Sequence, residues 1–236
     1  MTDDPHSPPA AGSATRGPLS GTALADLFFR PRWFFQSVNL AQGRAWLVAI
    51  WIVGMSGTID RIDRNLLQTE LGRARPAWDT FAPMLTGSWA SFWTFVVLIG
   101  ALGAVFIWYL GGWWYNLRLR WSGAGDFARR DGRLVYTFAG LVPAIPGLAY
   151  VLGGTLLTTD YQTLWNADEA WALLLLAFPF WGVIVSYLGV RTRFAVRPGP
   201  ARVWFLILPL LVYAIVIGVI GMLYALLTPD APSVTV

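Results

Sequence analysis

Five apolar segments constrain the fold of this chain more than any other feature of its sequence. They are Ala45–Ile59, Trp89–Leu110, Leu134–Leu157, Ala170–Val190 and Val203–Leu227. Crossing the hydrocarbon core of a bilayer, roughly 30 Å thick, takes about 20 apolar residues in a helix, and four of the five segments reach that length. The sequence therefore predicts an all-α integral membrane protein, in which residues 45–227 form a bundle of five transmembrane helices.

Composition removes most catalytic and metal-binding chemistry. The chain is 56% hydrophobic and 13% charged, and it contains no cysteine, which excludes disulfides and thiolate chemistry. All 17 basic residues are arginines, so no lysine can form a Schiff base. The one histidine is His6, in a tail rich in proline and alanine. We expect no catalytic site, metal or cofactor, and the arginines fit membrane orientation better than nucleic-acid binding.

The arginines alternate in number from one side of the predicted bundle to the other. The segments before span one, between spans two and three, and between spans four and five hold 4, 5 and 4 arginines, or 13 of the 17; the first outer loop holds the other 4. The positive-inside rule then predicts a cytoplasmic N-terminus and an outer C-terminus in a plasma membrane. Residues 1–22 are predicted to be a disordered cytoplasmic tail, and residues 228–236 a short outer tail.

A run of four charges follows the first apolar segment. From Ala45 to Ile59 a helix is about 22 Å long, too short to cross the core, so we expect it to continue through the charges. Helical spacing then puts Ile59, Ile62 and Leu66 on one face. The charges gather on another face, where they form a balanced cluster that is paired internally or faces the bundle. This possible functional cluster comprises Asp60, Arg61, Asp63 and Arg64.

An aromatic segment precedes span one. Residues 23–44 contain LFFRPRWFF, which suits a short amphipathic helix at the membrane interface, with rings toward the acyl chains and arginines toward headgroups. The alternative is a collar that packs on the bundle and sets the entry of span one. The predicted lipid or partner contacts are Phe28, Phe29, Arg30, Arg32, Trp33 and Phe34.

Prolines interrupt three of the apolar segments, and a proline removes a backbone hydrogen bond and kinks a helix. The predicted kinks lie at Pro143, Pro146, Pro179 and Pro209. Broken helices can expose carbonyls to a ligand, as in transporters, whereas kinked packing is the structural alternative. In the outer loop, Asn166 with Glu169 is predicted to cap span four, and Gly100, Gly103 and Ala104 to allow close helix packing within the monomer.

Three features resemble the bacterial branch of the Yip1 family. They are the LFFRPRWFF leader, the turn WSGAGDFARRDGRLVYTF with Tyr136 ahead of Pro143, and five spans with the N-terminus inside. The resemblance covers roughly Leu24 to Leu227 and implies a polytopic bacterial inner-membrane protein without catalysis. It does not bring the GTPase partner of the eukaryotic members.

Two functions remain open from the sequence. The first is a non-catalytic membrane-organising or protein-interaction module, whose partners would be the lipid bilayer and other membrane proteins. The second is a transporter, channel or lipid-handling protein that uses the kinked helices and the Asp60/Arg64 charge cluster. A polar-lined cavity inside the bundle would favour the second function, and a packed apolar interior would favour the first.

Overall fold

The structure, a computed structural model, describes residues 17–73, 76–167 and 174–227. Within these ranges the chain forms helices and turns and no strand. The helices are α1 (Gly21–Phe29), α2 (Pro31–Ser37), α3 (Ala45–Glu70), α4 (Pro76–Thr86), α5 (Trp89–Phe106), α6 (Gly112–Trp121), α7 (Arg129–Leu157), α8 (Tyr161–Trp165), α9 (Ala177–Arg193), α10 (Pro198–Arg202) and α11 (Leu208–Leu227), with π-helical turns at Ile107–Gly111 and Val203–Ile207.

Five helical stretches are long and apolar enough to cross a bilayer, which confirms the all-α architecture and the number of candidate spans. They are Ala45–Glu70, Trp89–Trp121, Arg129–Leu157, Leu174–Arg193 and Pro198–Val219. The third is the most buried, and only 6% of the fifth is buried inside the protein. Its exposed apolar surface is what a lipid-facing helix presents.

The first span is longer than its apolar segment, as the length argument predicts. Helix α3 runs without interruption through the four charges to Glu70. Leu71 is its C-cap, and the next residue, Gly72, has a φ of +65°, a left-handed conformation that glycine adopts without strain. The residues predicted to share its apolar face, Ile59, Ile62 and Leu66, are all buried, which confirms the orientation of that face.

Small residues bring α3 and α5 into close contact. A side chain at Gly54 would overlap the Gly100 carbonyl oxygen, and a Cβ at Gly100 would lie 2.9 Å from Met55 Cα. A Cβ at Gly103 would meet only ordinary contacts, from 3.5 Å. The predicted packing of small residues inside the monomer is therefore present, and Gly54 is its partner on α3.

The buried side chains form two groups, one toward each end of the bundle. We call the group at one end the inner core cluster; it includes Leu27, Phe34, Phe35, Tyr115, Phe138 and Phe205. We call the group at the opposite end the outer core cluster; it includes Ile59, Ile62, Leu66, Phe92, Tyr161 and Leu164.

The arginine-rich segments meet at the end that holds the inner core cluster. The Arg197 amide donates to the Ser122 carbonyl at 2.9 Å, and Arg193 Nη2 donates to the Val38 carbonyl at 2.5 Å. At the other end, Trp89 Nε1 donates to the Thr158 carbonyl at 2.9 Å. The loops thus alternate between the two ends, as five successive crossings require.

The N-terminal part differs from the predicted tail. Ser20 caps α1, and the helix begins at Gly21, so the last residues of the predicted disordered tail belong to a capped helix. Residues 1–16 and 228–236 of the two predicted tails lie outside the described residues.

Candidate functional site

A cavity of about 680 Å³ lies inside the bundle, between α3, α7, α8, α9 and α11. We call it the tyrosine cavity because four tyrosines line it. Its volume lies within the range of about 300–1,000 Å³ that is typical of small-molecule sites. Its polar lining comprises Ser56, Asp60, Asp63, Tyr136, Tyr150, Tyr161 and Tyr213.

The cavity exists because facing positions on α3 and α7 carry small residues at helical spacing. On α3 the lining residues Ser56 and Gly57 lie one turn before Asp60. On α7 most of the cavity-lining residues lie three or four positions apart, so they share one face of the helix. A Cβ at Gly147 would meet no atom of the described residues within 4 Å, so this wall is open toward them. The lining residues of α7 are Tyr136, Gly140, Pro143, Ala144, Gly147, Tyr150 and Val151.

The structure divides the charge cluster by sign. Asp60, which is exposed, and Asp63, which is half-buried, line the tyrosine cavity, whereas the exposed Arg61 and Arg64 do not line it. Arg64 Nε donates to the backbone carbonyl of Asp60 at 3.0 Å. In the described part of the chain, no ion pair within 4 Å joins these four charges. The predicted internal pairing of Asp60 with Arg64 is therefore absent from this structure, because the arginine side chain turns back to the backbone.

The carboxylate of Asp63 binds a residue from another part of the chain. The Tyr161 hydroxyl donates to Asp63 Oδ1, across 98 positions of sequence. Burial raises the pKa of the Tyr161 hydroxyl, and the nearby Asp63 carboxylate raises it further. Tyr161 therefore stays protonated and remains a donor at neutral pH. Its ring stacks on Phe92 with centroids 4.0 Å apart, which fixes the direction of the hydroxyl.

Helix α8 positions Tyr161, and Asp160 is the N-cap of that helix. Asp160 Oδ1 accepts from the Thr163 amide at 2.7 Å, and its Oδ2 from Thr159 Oγ1 at 2.9 Å. Both hydrogen bonds lower the pKa of the Asp160 carboxyl, and the one from the Thr163 backbone amide has the larger effect.

The predicted cap of span four by Asn166 and Glu169 falls on a stretch that lies partly outside the described residues. Asn166 is the C-cap of α8, and its Oδ1 accepts from Gln162 Nε2 at 3.2 Å. Span four is described from Leu174. Glu169, the other half of the predicted capping box, lies outside the described residues.

A second, smaller cavity adjoins the first and has a volume of about 180 Å³. We call it the Arg118 compartment. It shares five lining residues with the tyrosine cavity, so the two cavities lie side by side in the bundle. The shared residues are Tyr136, Gly140, Pro143, Pro179 and Tyr213.

Arg118 lies between aromatic rings at the far end of this space. Its guanidinium carbon is 4.8 Å from the ring centroid of Phe205 and 5.2 Å from that of Tyr115. Its Nη1 donates to the Trp204 carbonyl at 3.3 Å, and its Nε is buried without a hydrogen-bond partner. Of the two adjacent cavities, one thus has carboxylates in its lining and the other a guanidinium.

Three of the four predicted kink prolines line this space. Pro143, Pro179 and Pro209 border the Arg118 compartment. Pro143 has no amide to donate to the Ala139 carbonyl, and Ala139 lines the same compartment. Pro209 is the second residue of α11 and lies two positions after the π-helical turn Val203–Ile207. Pro146 lies within the continuous helix α7 and borders neither cavity.

The interfacial segment is divided between core and surface. Phe29 and Trp33 are 84% and 55% exposed, and Arg30 and Arg32 are exposed beside them. Phe34 is fully buried in the inner core cluster, so its predicted lipid or partner contact is wrong. The helical turn of α2 directs it inward, where its ring lies 5.8 Å from that of Phe138.

Phe28 also contributes to the packing of this segment. Its ring meets Phe178 edge-on at 6.3 Å, and its carbonyl accepts from Trp181 Nε1 at 2.9 Å. The segment is thus a collar on α9 that leaves four side chains, Phe29, Arg30, Arg32 and Trp33, at the surface.

Comparison with known proteins returns no match. No protein-family model, curated protein or solved structure matches the chain, so the resemblance to the Yip1 family stays a prediction. Across the described ranges, no group of three or more His, Cys, Asp or Glu side chains could hold a metal ion.

The sequence predictions missed most of the cavity lining. They named Asp60 and Asp63 but assigned no ligand-binding role to the tyrosines within the apolar segments. Tyr136, Tyr150 and Tyr213 could have been predicted as polar lining, because they are tyrosines within apolar segments. The contribution of Arg118 could not have been predicted, because it depends on how α6 packs against the last span.

Proposed function

We propose that this chain is a multi-pass membrane protein that handles lipids and binds a membrane amphiphile in the space formed by the tyrosine cavity and the Arg118 compartment. One observation carries the proposal: the two cavities share five lining residues and run between charges of opposite sign. This is the polar-lined cavity that favours the second of the two functions left open by the sequence.

The chemistry of the walls supports an amphiphile more than a small ion. Most of the lining consists of aliphatic carbon, proline rings and tyrosine rings, which suit acyl chains. The charged groups Asp60, Asp63 and Arg118 lie toward the ends of the space. A ligand with an apolar body and a polar head matches this distribution. No catalytic step is part of the proposal.

A test fills the tyrosine cavity and leaves the fold unchanged. Gly147→Leu adds a side chain on the cavity wall of α7, where a Cβ has no neighbour within 4 Å. Gly153→Leu is the matched control, because it lies on the same helix, has equally open space and does not line the cavity. Both changes raise helix propensity to a similar degree.

The readout is the amount of lipid retained by the full-length protein purified in mild detergent, measured by native mass spectrometry. We expect Gly147→Leu to lose most of the retained lipid and Gly153→Leu to keep it. Equal retention by both variants at equal thermal stability would contradict binding inside the cavity.

The membrane and orientation belong to the same proposal. We place the chain in a bacterial inner membrane with its N-terminus in the cytoplasm and its C-terminus outside. The support is the 13 to 4 distribution of arginines, together with the meeting of the arginine-rich segments at one end of the bundle.

A second candidate is the membrane-organising or protein-interaction module. The exposed Phe29 and Trp33, beside Arg30 and Arg32, favour it, because isolated exposed rings on a rigid collar suit partner contact. In a pull-down from native membranes, a Phe29→Ser/Trp33→Ser variant should lose any specific protein partner that the wild type retains. Identical recovery from both would remove this support.

A further inference from the structure

We propose that the Arg118 compartment binds the phosphate group of a membrane phospholipid, whose acyl chains extend along the proline-lined wall into the tyrosine cavity. This inference rests on the proposed lipid-handling function and names the headgroup chemistry of its ligand. The tests below separate failure of the phosphate site from failure of that function.

The first support is that the charge of Arg118 is uncompensated. A guanidinium carries five N–H donors, and the structure shows one hydrogen bond, to the Trp204 carbonyl. Nε is buried and has no partner. Among the described residues, no carboxylate lies within 4 Å of the guanidinium. A half-buried guanidinium whose Nε is fully buried without a partner is suited to bind an anion.

The second support is the geometry around the guanidinium. The rings of Tyr115 and Phe205 flank it at 5.2 and 4.8 Å and restrict its orientation. A planar, oriented guanidinium is suited to two parallel hydrogen bonds with phosphate oxygens, which an ammonium cannot reproduce. Tyr136, Ser186 and Tyr213 line the same compartment and provide hydroxyl donors for the remaining oxygens.

The third support is depth. Trp113, Trp114 and Trp121 are 56%, 42% and 43% exposed on the same helix as Arg118. Exposed tryptophans collect at the interface between the acyl chains and the headgroups. Arg118 therefore lies at the level where lipid phosphates are concentrated.

The shape of the compartment favours a lipid over free phosphate. Its remaining walls are apolar and include Pro143, Pro179, Val183 and Pro209. It also adjoins a larger cavity of about 680 Å³, with which it shares five lining residues. Free phosphate would leave that apolar space unused, whereas acyl chains would fill it.

The experiment uses the full-length protein, delipidated in detergent and titrated with a short-chain phosphatidylglycerol. Binding is measured by native mass spectrometry and by the shift in thermal unfolding. Parallel titrations use a diacylglycerol of the same chain length, which lacks the phosphate, and inorganic phosphate. We expect the phospholipid to bind at least about tenfold more tightly than either, since only the phospholipid combines charge-assisted hydrogen bonds to Arg118 with burial of its acyl chains.

The variants are Arg118→Gln, Arg118→Lys and the control Arg120→Gln. Arg120 is exposed, lies two residues away on α6 and lines neither cavity. We expect Arg118→Gln to weaken phospholipid binding at least about tenfold with no change for diacylglycerol. Arg118→Lys should lie between the wild type and Arg118→Gln because it keeps the charge and loses the paired donors. Arg120→Gln should bind as the wild type does.

Different results overturn different statements. Equal binding of phospholipid and diacylglycerol by the wild type would overturn the phosphate site and leave the lipid-handling function standing. Inorganic phosphate binding as tightly as the phospholipid would overturn the lipid as the source of the phosphate. If Arg118→Gln does not fold, the comparison of phospholipid with diacylglycerol binding by the wild type still tests the phosphate site. The lipid-handling function itself fails only if neither lipid binds the wild type, or if Gly147→Leu binds both as the wild type does.

Discussion

The hydroxyl of Tyr161 donates to the carboxylate of Asp63, and this bond fastens the outer helix α8 to the first span. Both residues also line the tyrosine cavity. The bond therefore closes one end of the proposed ligand space and holds one of its two acids in place.

The first prediction concerns this bond. Tyr161→Phe removes only the hydroxyl and leaves the Asp63 carboxylate partly buried with one partner fewer, so it should destabilise the protein by about 1–3 kcal/mol. A double-mutant cycle with Asp63→Asn, followed by thermal unfolding in detergent, should show a non-additive term. The control is Tyr109→Phe. The Tyr109 ring is 61% exposed, so this variant should lose little stability. Additive losses would show that the two side chains do not interact.

The second prediction concerns Asp60 and Arg64. The short apolar segment before them predicts partial burial of the pair and a coupling above about 1 kcal/mol. In the structure Arg64 is exposed and bonds to the Asp60 carbonyl rather than to its carboxylate. We therefore expect a coupling below about 1 kcal/mol in a cycle of Asp60→Asn and Arg64→Gln. A larger coupling would mean that the guanidinium reaches the carboxylate in the membrane.

The third prediction concerns the contact of α3 with α5. Gly54→Ala adds a methyl group that overlaps the Gly100 carbonyl oxygen, and overpacking of this kind costs about 1–3 kcal/mol. Gly103→Ala meets its first neighbour at 3.5 Å and should be neutral or slightly stabilising. Thermal unfolding of the two variants measures the difference. Equal stability would show that the helices can separate without cost.

The fourth prediction concerns pH. The pKa of Asp160 is lowered in the folded protein, so its carboxylate stabilises the fold above the unfolded value of about 3.9. That contribution is lost as pH falls through the lower folded pKa. Asp160→Asn keeps a capping side chain and removes the titration. We expect the wild type to lose stability relative to this variant below about pH 4. Parallel curves for both proteins between pH 6 and pH 2 would contradict the role of the charge.

The fifth prediction concerns topology. The arginine distribution of 13 to 4 predicts that Val236 lies outside the cytoplasm. A reporter that is active only outside the cytoplasm should be active when fused after Val236, and one that is active only in the cytoplasm should be silent there. The reverse pattern would contradict the orientation.

Much of the fold was predictable because it follows from local hydrophobic pattern. The five apolar segments, the continuation of α3 through its charges and the buried face of Ile59, Ile62 and Leu66 depend only on helical geometry and on the thickness of a bilayer. The division of the charge cluster was not predictable. At helical spacing Asp60 and Arg64 share a face, and only the position of α7 and α8 decides which of them meets a cavity.

The sequence by itself thus determined how many helices could cross a membrane, how long they are and which residues interrupt them, since each property depends on neighbours within a few turns. The tertiary structure determined the proposed ligand space. Gly147 is an open wall because no described residue of the neighbouring helices fills its place, and Tyr161 meets Asp63 across 98 positions. Arg118 lines the same compartment as Ser186 and Tyr213 because three different spans converge there. Such contacts depend on the packing of distant segments, which local periodicity does not encode.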